Sequence, residues 1–380
     1  MKIVIAPDSF KESLSAQQVA DTIKAGFQTQ FADAEYITLP IADGGEGTLD
    51  ALVAAKGGEV HSQIVEGPLG QDVTARWGHF SDQGISTAII ELAEASGIAL
   101  NDPDDRDIER ASTFGTGQLI KAALDNNVRR IILCLGGSAT NDAGAGIAQA
   151  LGVQLKDHQG NELARGGKAL LQLASIDATN LHSKAQQVEW LIACDVSNPL
   201  CGDQGASAVF GPQKGASAEQ VQMLDSALTH FADKVADITG INHQDSAGFG
   251  AAGGTPLGVT VCGEPTLKPG IDIVLEAAQL EQCLKDADLV ITGEGQMDFQ
   301  TLFGKAPFGV ASRAKKLDIP TIGIAGSLGK DLTGLDEYFS AVFATVRSPQ
   351  PLQQVLEEAD HNLRVTSENV ASALAMKLES

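Results

Sequence analysis

The chain is punctuated by glycine-rich turns at the ends of short apolar runs, and the spacing of those runs constrains the fold more than any other feature. Residues 2–6 form a short run rich in β-branched side chains. A polar turn follows, then Ser15 with Gln18 three residues on, a capping-box signature ahead of Val19, Ile23 and Phe27. A second run, 36–40, meets the turn Ala42-Asp43-Gly44-Gly45-Glu46-Gly47-Thr48 and a helical pattern through Ala55. Two βα units therefore open the chain, the arrangement of a parallel sheet. From Gly58 to Leu92 the pattern changes to short strands, with Asp82-Gln83-Gly84 predicted as a hairpin turn between 74–80 and 85–92. Beyond it the pattern predicts a helix around 117–124, a buried strand at 130–135, a helix over 141–151, a strand at 190–194 and a long helix over 218–238. Clean βα alternation returns at 287–292, 320–325 and 340–346.

The expectation is an α/β protein of two domains: a doubly wound, Rossmann-like parallel-sheet domain from residues 1–60 plus 286–380, and a second α/β domain with a mixed sheet, 61–285, inserted into it. A length of 380 residues accommodates two such units.

Charge and composition remove several classes of function. The formal net charge is −23, which repels polyanions and leaves no basic patch for nucleic acid or anionic membranes. Only five uncharged residues stand between Lys2 and Asp8, too few for a signal-peptide core, and no run of 18 apolar residues occurs, so a soluble cytoplasmic protein is expected. The five cysteines, Cys134, Cys194, Cys201, Cys262 and Cys283, show neither CxxC nor zinc spacing and read as reduced, buried thiols. No GxxxxGK[ST], GxGxxG after a strand, HExxH or GxSxG is present.

In a doubly wound sheet, ligands bind beyond the carboxyl ends of the strands. Asp8, Ser9 and Lys11 follow the first strand and offer a carboxylate, a hydroxyl and an ammonium in one loop, a mixture suited to phosphate; the same stretch also reads as a solvated turn leading to the Ser15 cap. The turn with Asp43, Gly44 and Gly45 can bring backbone N–H groups to an anion, or only require glycine dihedrals. Gly136, Gly137, Ser138, Thr140 and Asn141 form a longer stretch of small and polar residues than a helix cap needs, favouring an anion nest. Asp195 stands at a strand end before a proline turn, where a general base or metal ligand belongs, although aspartate is also a common turn-former. Lys214 lies in Gly211-Pro212-Gln213-Lys214-Gly215, a cation between glycines that allows close approach to a phosphate, although an exposed lysine is the usual case. Past the strand ending at Thr292, Gly293 opens a turn whose Glu294 and Asp298 suit Mg²⁺, and Lys305 with the helix start at Pro307 suits a phosphate.

Taken in order, MKIVIAPDSFKESLSA, LPIADGGEGT, LGGSATNDAGAG, ACDVSNPLCG, VFGPQKGA, FGAAGGTPLG and TGEGQMDFQTLFGKAPFGVA closely resemble the bacterial type 1 glycerate kinase family, end to end. The resemblance implies transfer of the γ-phosphoryl group of ATP to D-glycerate, giving 2-phosphoglycerate with Mg²⁺, in a flavodoxin-like unit carrying an inserted α/β unit. Phosphorylation of the 3-hydroxyl, or of another small hydroxy acid, is the alternative within the family. In that frame Asp195 is the first choice for orienting or deprotonating the glycerate hydroxyl and Asp8 the second. Lys11 and Ser9 would hold phosphate or carboxylate, the 136–141 loop would cradle an anion, and Glu294 with Asp298 would hold Mg²⁺. The implied partners are small molecules only, with no nucleic acid or membrane, and a homo-oligomer is compatible with the sequence. A nicotinamide-dependent oxidoreductase and a two-domain solute-binding protein are the rival classes; the missing dinucleotide fingerprint and export signal count against them.

Overall fold

The computed structural model describes residues 1–376. The chain divides into two compact units, one built from Met1–Asp43, Asp50–Gly57 and Ile271–Ser380, the other from Gly44–Leu49 and Gly58–Gly270.

The first unit is organised by a five-stranded sheet in the spatial order Glu35–Thr38, Lys2–Ile5, Leu289–Thr292, Thr321–Ala325, Ala341–Ala344, all parallel. Numbered along the chain this is 2-1-3-4-5, the flavodoxin-like doubly wound order, with its topological switch point between the first and third strands. The three inner strands read as continuous apolar runs because both faces are covered. Ile3, Ile5, Ile291 and Ile324 pack with Val19, Ile23 and Phe27 of the helix Ala16–Phe27 and with Leu363 and Val370 of the helix Ala359–Ala375. The predicted cap is present in full: Ser15 Oγ accepts from the Gln18 N–H, and the Gln18 side chain accepts from the Ser15 N–H.

The second unit has a six-stranded mixed sheet. Glu59–Glu66, Asp72–Asp82 and Ile85–Glu91 form an antiparallel meander, the last turn falling at Gln83 and Gly84 as the sequence predicts. Ile85–Glu91 then runs parallel to Arg130–Cys134, which pairs with Glu189–Ala193, and that strand pairs in turn with Pro265–Lys268 at the edge. The helix expected over 141–151 begins later, at Ala145, because Asn141 to Gly144 take up an irregular turn in which Ala143 and Gly144 have φ of 51° and 74°. Gly144 could not be replaced there without strain, since a Cβ would lie 2.3 Å from the Thr255 carbonyl oxygen.

All five cysteines are free, but only Cys134 and Cys262 are buried; the other three are half-buried. Burial pushes the Cys262 thiol up to about 12 and the Cys201 thiol to about 11, far from nucleophilic thiolates. Among the described residues no helix is long and apolar enough to cross a membrane.

Candidate active-site residues

At the switch point of the first unit, three neighbouring chain segments leave the sheet in register. The Ala6 N–H donates to Ile291 O and the Asp8 N–H to Gly293 O, both at 2.8 Å, while on the other side the Ile41 N–H reaches Pro7 O at 3.0 Å. Thr292 Oγ1 donates to Ala6 O at 2.7 Å. This lacing carries three carboxylates, Asp8, Asp43 and Glu294, just beyond three adjacent strand ends. Asp8 is 9% exposed. Burial is the main reason its carboxyl is pushed up to about 7, helped by the charges of Asp43 and Glu294; the Ser9 N–H, donating to Asp8 Oδ1 at 2.6 Å, and Lys11 pull the other way.

Lys11 lies in a tight loop closed by reciprocal bonds between the backbones of Phe10 and Leu14, and its side chain is exposed. Gly295 passes close to the backbone of this loop, so that a Cβ on it would lie 3.5 Å from the Lys11 backbone nitrogen. Glu294 is 8% exposed and has both oxygens engaged: Thr301 Oγ1 donates to Oε1 at 2.7 Å, and Lys305 Nζ pairs with Oε2 at 3.0 Å. Burial pushes the Glu294 carboxyl up, and the Thr301 and Lys305 bonds offset part of that. Asp298 caps the short helix Phe299–Leu302, accepting from the Gln300 N–H at 2.9 Å, while its own N–H donates to Thr301 Oγ1 at 3.1 Å. Thr301 thus links the two acids. Its Asp-x-x-Thr spacing from Asp298 is a capping pattern. Lys305 is the residue preceding the helix Ala306–Lys315, whose first turn contains Pro307.

In the second unit, the loop of Gly136, Gly137, Ser138, Thr140 and Asn141 is joined to the turn carrying Lys214. The ammonium, 4% exposed, donates to Ser138 Oγ and to Thr140 O, both at 2.7 Å. Burial lowers its pKa to about 7, against the opposing charge of Asp142. Asn141 Nδ2 donates to Ser207 Oγ at 2.9 Å, whereas Asn141 Oδ1 and Thr140 Oγ1 are buried without a partner. Asp142 is a brace: it accepts from the N–H groups of Thr113, Gly144 and Gly146 and from the hydroxyls of Ser112 and Thr113, tying this loop to the start of the helix Phe114–Asp125. Burial pushes its carboxyl up while these donors pull it down.

Gly44 and Gly45 belong to this unit as well. A Cβ on Gly136 would lie 3.3 Å from Gly45 Cα, and Gly44, at φ 93°, approaches Gly270 so closely that a Cβ would lie 2.5 Å from its Cα. Asp195 is exposed, and its Oδ1 accepts from the Gly270 N–H at 2.8 Å, which ties the strand-end turn to the segment after Pro265–Lys268.

The sequence-predicted residues therefore fall into two sets. Asp8, Ser9, Lys11, Asp43, Gly293, Glu294, Asp298 and Lys305 gather at the switch point of the first unit; Gly44, Gly45, Gly136, Gly137, Ser138, Thr140, Asn141, Asp195 and Lys214 lie in the second. Chemically, the first set offers a buried carboxyl able to exchange a proton near neutrality, with cations beside it. The second offers amides, hydroxyls and an ammonium suited to an anion. Among the described residues no cluster of three or more His, Cys, Asp or Glu is arranged to hold a metal by protein ligands alone.

The model of the glycerate kinase family matches residues 3–375. A glycerate kinase of Bacillus subtilis (strain 168) is 48% identical over 377 residues, covering 99% of this chain and 98% of the relative. A glycerate 2-kinase of Escherichia coli (strain K12) is 45% identical over 381 residues and covers 100% of both chains. A crystal structure named for glycerate kinase 2 of Salmonella typhimurium LT2 superposes with a TM-score of 0.90 at 48% identity, covering 98% of each chain.

Proposed function

Because this chain belongs to the glycerate kinase family, we propose that it transfers the γ-phosphoryl group of ATP to the 2-hydroxyl of D-glycerate in the cytoplasm, giving 2-phosphoglycerate and ADP. The observation that carries this reading is the 45% identity, over 100% of each chain, to a relative named glycerate 2-kinase. The switch-point chemistry supports it. Asp8 is the proton acceptor: as the O–P bond forms and the bond from the γ-phosphorus to the departing oxygen of ADP breaks, the hydroxyl proton passes to the Asp8 carboxylate. A buried carboxyl poised at about 7 is matched to that task. Asp195, the first choice from sequence, is exposed and fastened to the Gly270 N–H, so the geometry favours Asp8. Lys11, Lys305 and the N-terminus of Ala306–Lys315 supply positive charge to phosphate oxygens.

The residues present fit Mg²⁺ in the manner usual for that ion, with one or two carboxylates and the remaining positions filled by phosphate and water. The mutual repulsion of Asp43, Asp8 and Glu294 is what a divalent cation relieves. Glu294 and Asp43 would hold it, with Asp298 acting on Glu294 through Thr301; when bound, the ion neutralises charge on the transferring phosphoryl group.

The test is regiochemical. Product formed from D-glycerate and ATP is offered to enolase directly. Consumption without added phosphoglycerate mutase is the expected result, whereas a requirement for the mutase places the phosphate on the 3-hydroxyl. No product of either kind overturns the reading.

A further inference from the structure

A buried serine and lysine in the second unit form a pair that proton transfer at the switch point does not use. Lys214 Nζ lies 2.7 Å from Ser138 Oγ and is also held by Thr140 O at 2.7 Å. The short turn Pro212–Lys214 fixes the root of the lysine, whose N–H donates to Gly211 O at 2.9 Å. Among the described residues Lys214 makes no ion pair. Asp142 acts on it through charge alone, because the Asp142 oxygens are taken up by donors from Ser112, Thr113, Gly144 and Gly146.

An ammonium without a carboxylate partner is costly to bury, and the cost is relieved by giving up its proton. For that reason the Lys214 pKa falls to about 7. In the neutral amine the contact with Ser138 reverses: the Ser138 hydroxyl donates to the lone pair on Nζ, while one amine N–H stays on Thr140 O. That is the arrangement in which a serine hydroxyl loses its proton as it attacks. The neighbourhood also leaves a way in. Ser138 is 8% exposed, and the glycines next to the pair along the chain, Gly136, Gly137 and Gly215, are exposed with no side chain to cover it. Gly136 and Gly137 lie outside every helix and strand, with Gly137 at φ 71°, and backbone N–H groups of such a turn form a concavity suited to an oxyanion.

We propose that Ser138 is a nucleophile and Lys214 its general base, giving this chain a second activity: transfer of a small acyl group from an activated carboxylic ester to Ser138 and then to water. Ser138 Oγ bonds to the ester carbonyl carbon as its proton passes to Lys214 Nζ, and the carbonyl oxygen takes the negative charge beside the 136–137 backbone. Collapse of this adduct breaks the bond to the alcohol oxygen, which leaves with the proton from Lys214. Water then gives a proton to the same amine and bonds to the acyl carbon; Ser138 Oγ departs, recovers that proton, and the carboxylic acid is released. This activity does not depend on the kinase reading and stands or falls apart from it.

The experiment uses p-nitrophenyl acetate on the full-length protein, for wild type, Ser138→Ala and Lys214→Met, with a thermal melt of each. Methionine removes the base without burying a new charge, and Ser138→Ala leaves Lys214 its bond to Thr140 O, so both variants should fold. Wild type should release a burst of about one nitrophenolate per chain, and peptide mass spectrometry should place one acetyl group on Ser138. Ser138→Ala should lose the burst, and Lys214→Met should slow it roughly 10² to 10⁴-fold, the range of a lost general base. Absence of a burst in wild type, acetylation confined to other residues, or a burst in folded Lys214→Met within threefold of wild type would each overturn the proposal.

Discussion

Replacing Asp8 by Asn removes one negative charge at the switch point while keeping an oxygen to accept from the Ser9 N–H. The magnitude follows from the carboxyl's own titration. Its pKa rises from 3.8 to about 7, chiefly through burial, a displacement of about three pH units at 1.36 kcal/mol each, or about 4 kcal/mol. A carboxyl whose folded pKa is raised binds its proton more tightly in the native state. Its contribution to stability is therefore fully present below pH 3.8 and is lost as the pH climbs through 7. Asparagine has no such dependence. Measured in chelator, the stability of Asp8→Asn relative to wild type should thus increase by about 4 kcal/mol between pH 4 and pH 8, read as a pH-dependent gap in denaturant midpoints at constant m. Activity should move the opposite way: kcat of the variant falls roughly 10² to 10⁴-fold, and wild-type kcat/KM rises with pH up to about 7. A stability gap that does not change with pH would refute the burial argument, and a kcat within threefold of wild type would refute Asp8 as proton acceptor.

Three further outcomes are expected. Thr301→Val strips Glu294 of the 2.7 Å donor that orients it, and should raise the Mg²⁺ concentration giving half-maximal rate roughly 10- to 100-fold; titration of the rate with Mg²⁺ at saturating ATP measures this. Asp142→Ala leaves five buried donors bare. It should cost about 3 kcal/mol or more, a fall of roughly 6–12 °C in the melting temperature of a unit of this size, checked by calorimetry. Asp195→Asn keeps the Oδ1 that accepts from Gly270 N–H and should alter kcat less than about tenfold in steady-state assays, since an exposed carboxylate has little charge effect to lose.

Much of the architecture is written in local pattern. The Ser15-to-Gln18 cap, the hairpin turn at Gln83 and Gly84, and the apolar runs that became Lys2–Ile5, Leu289–Thr292 and Thr321–Ala325 depend on residues a few positions apart. Their physics is complete within one turn or one strand. Helix onset at Ala145 was not legible, because the turn before it is held by Asp142 accepting from Ser112 and Thr113, some thirty residues earlier in the chain.

The candidate site divides along the same line. Glycine after a strand, with acids and lysines nearby, marks the candidate stretches in the sequence alone. Rank among them is not marked there. Asp8 and Asp195 each follow a strand as a lone acid, yet Asp8 is buried between segments contributed by residues 41–43 and 293–294, and Asp195 is left in water. Lys11 and Lys214 are both cations in tight turns, but only Lys214 is enclosed, by Ser138 and Thr140 from a loop more than seventy residues away. Composition and spacing determine which groups are available. Proton affinity and ligand preference depend on how much water each group loses and which charges replace it, and that is decided only when distant segments pack around it.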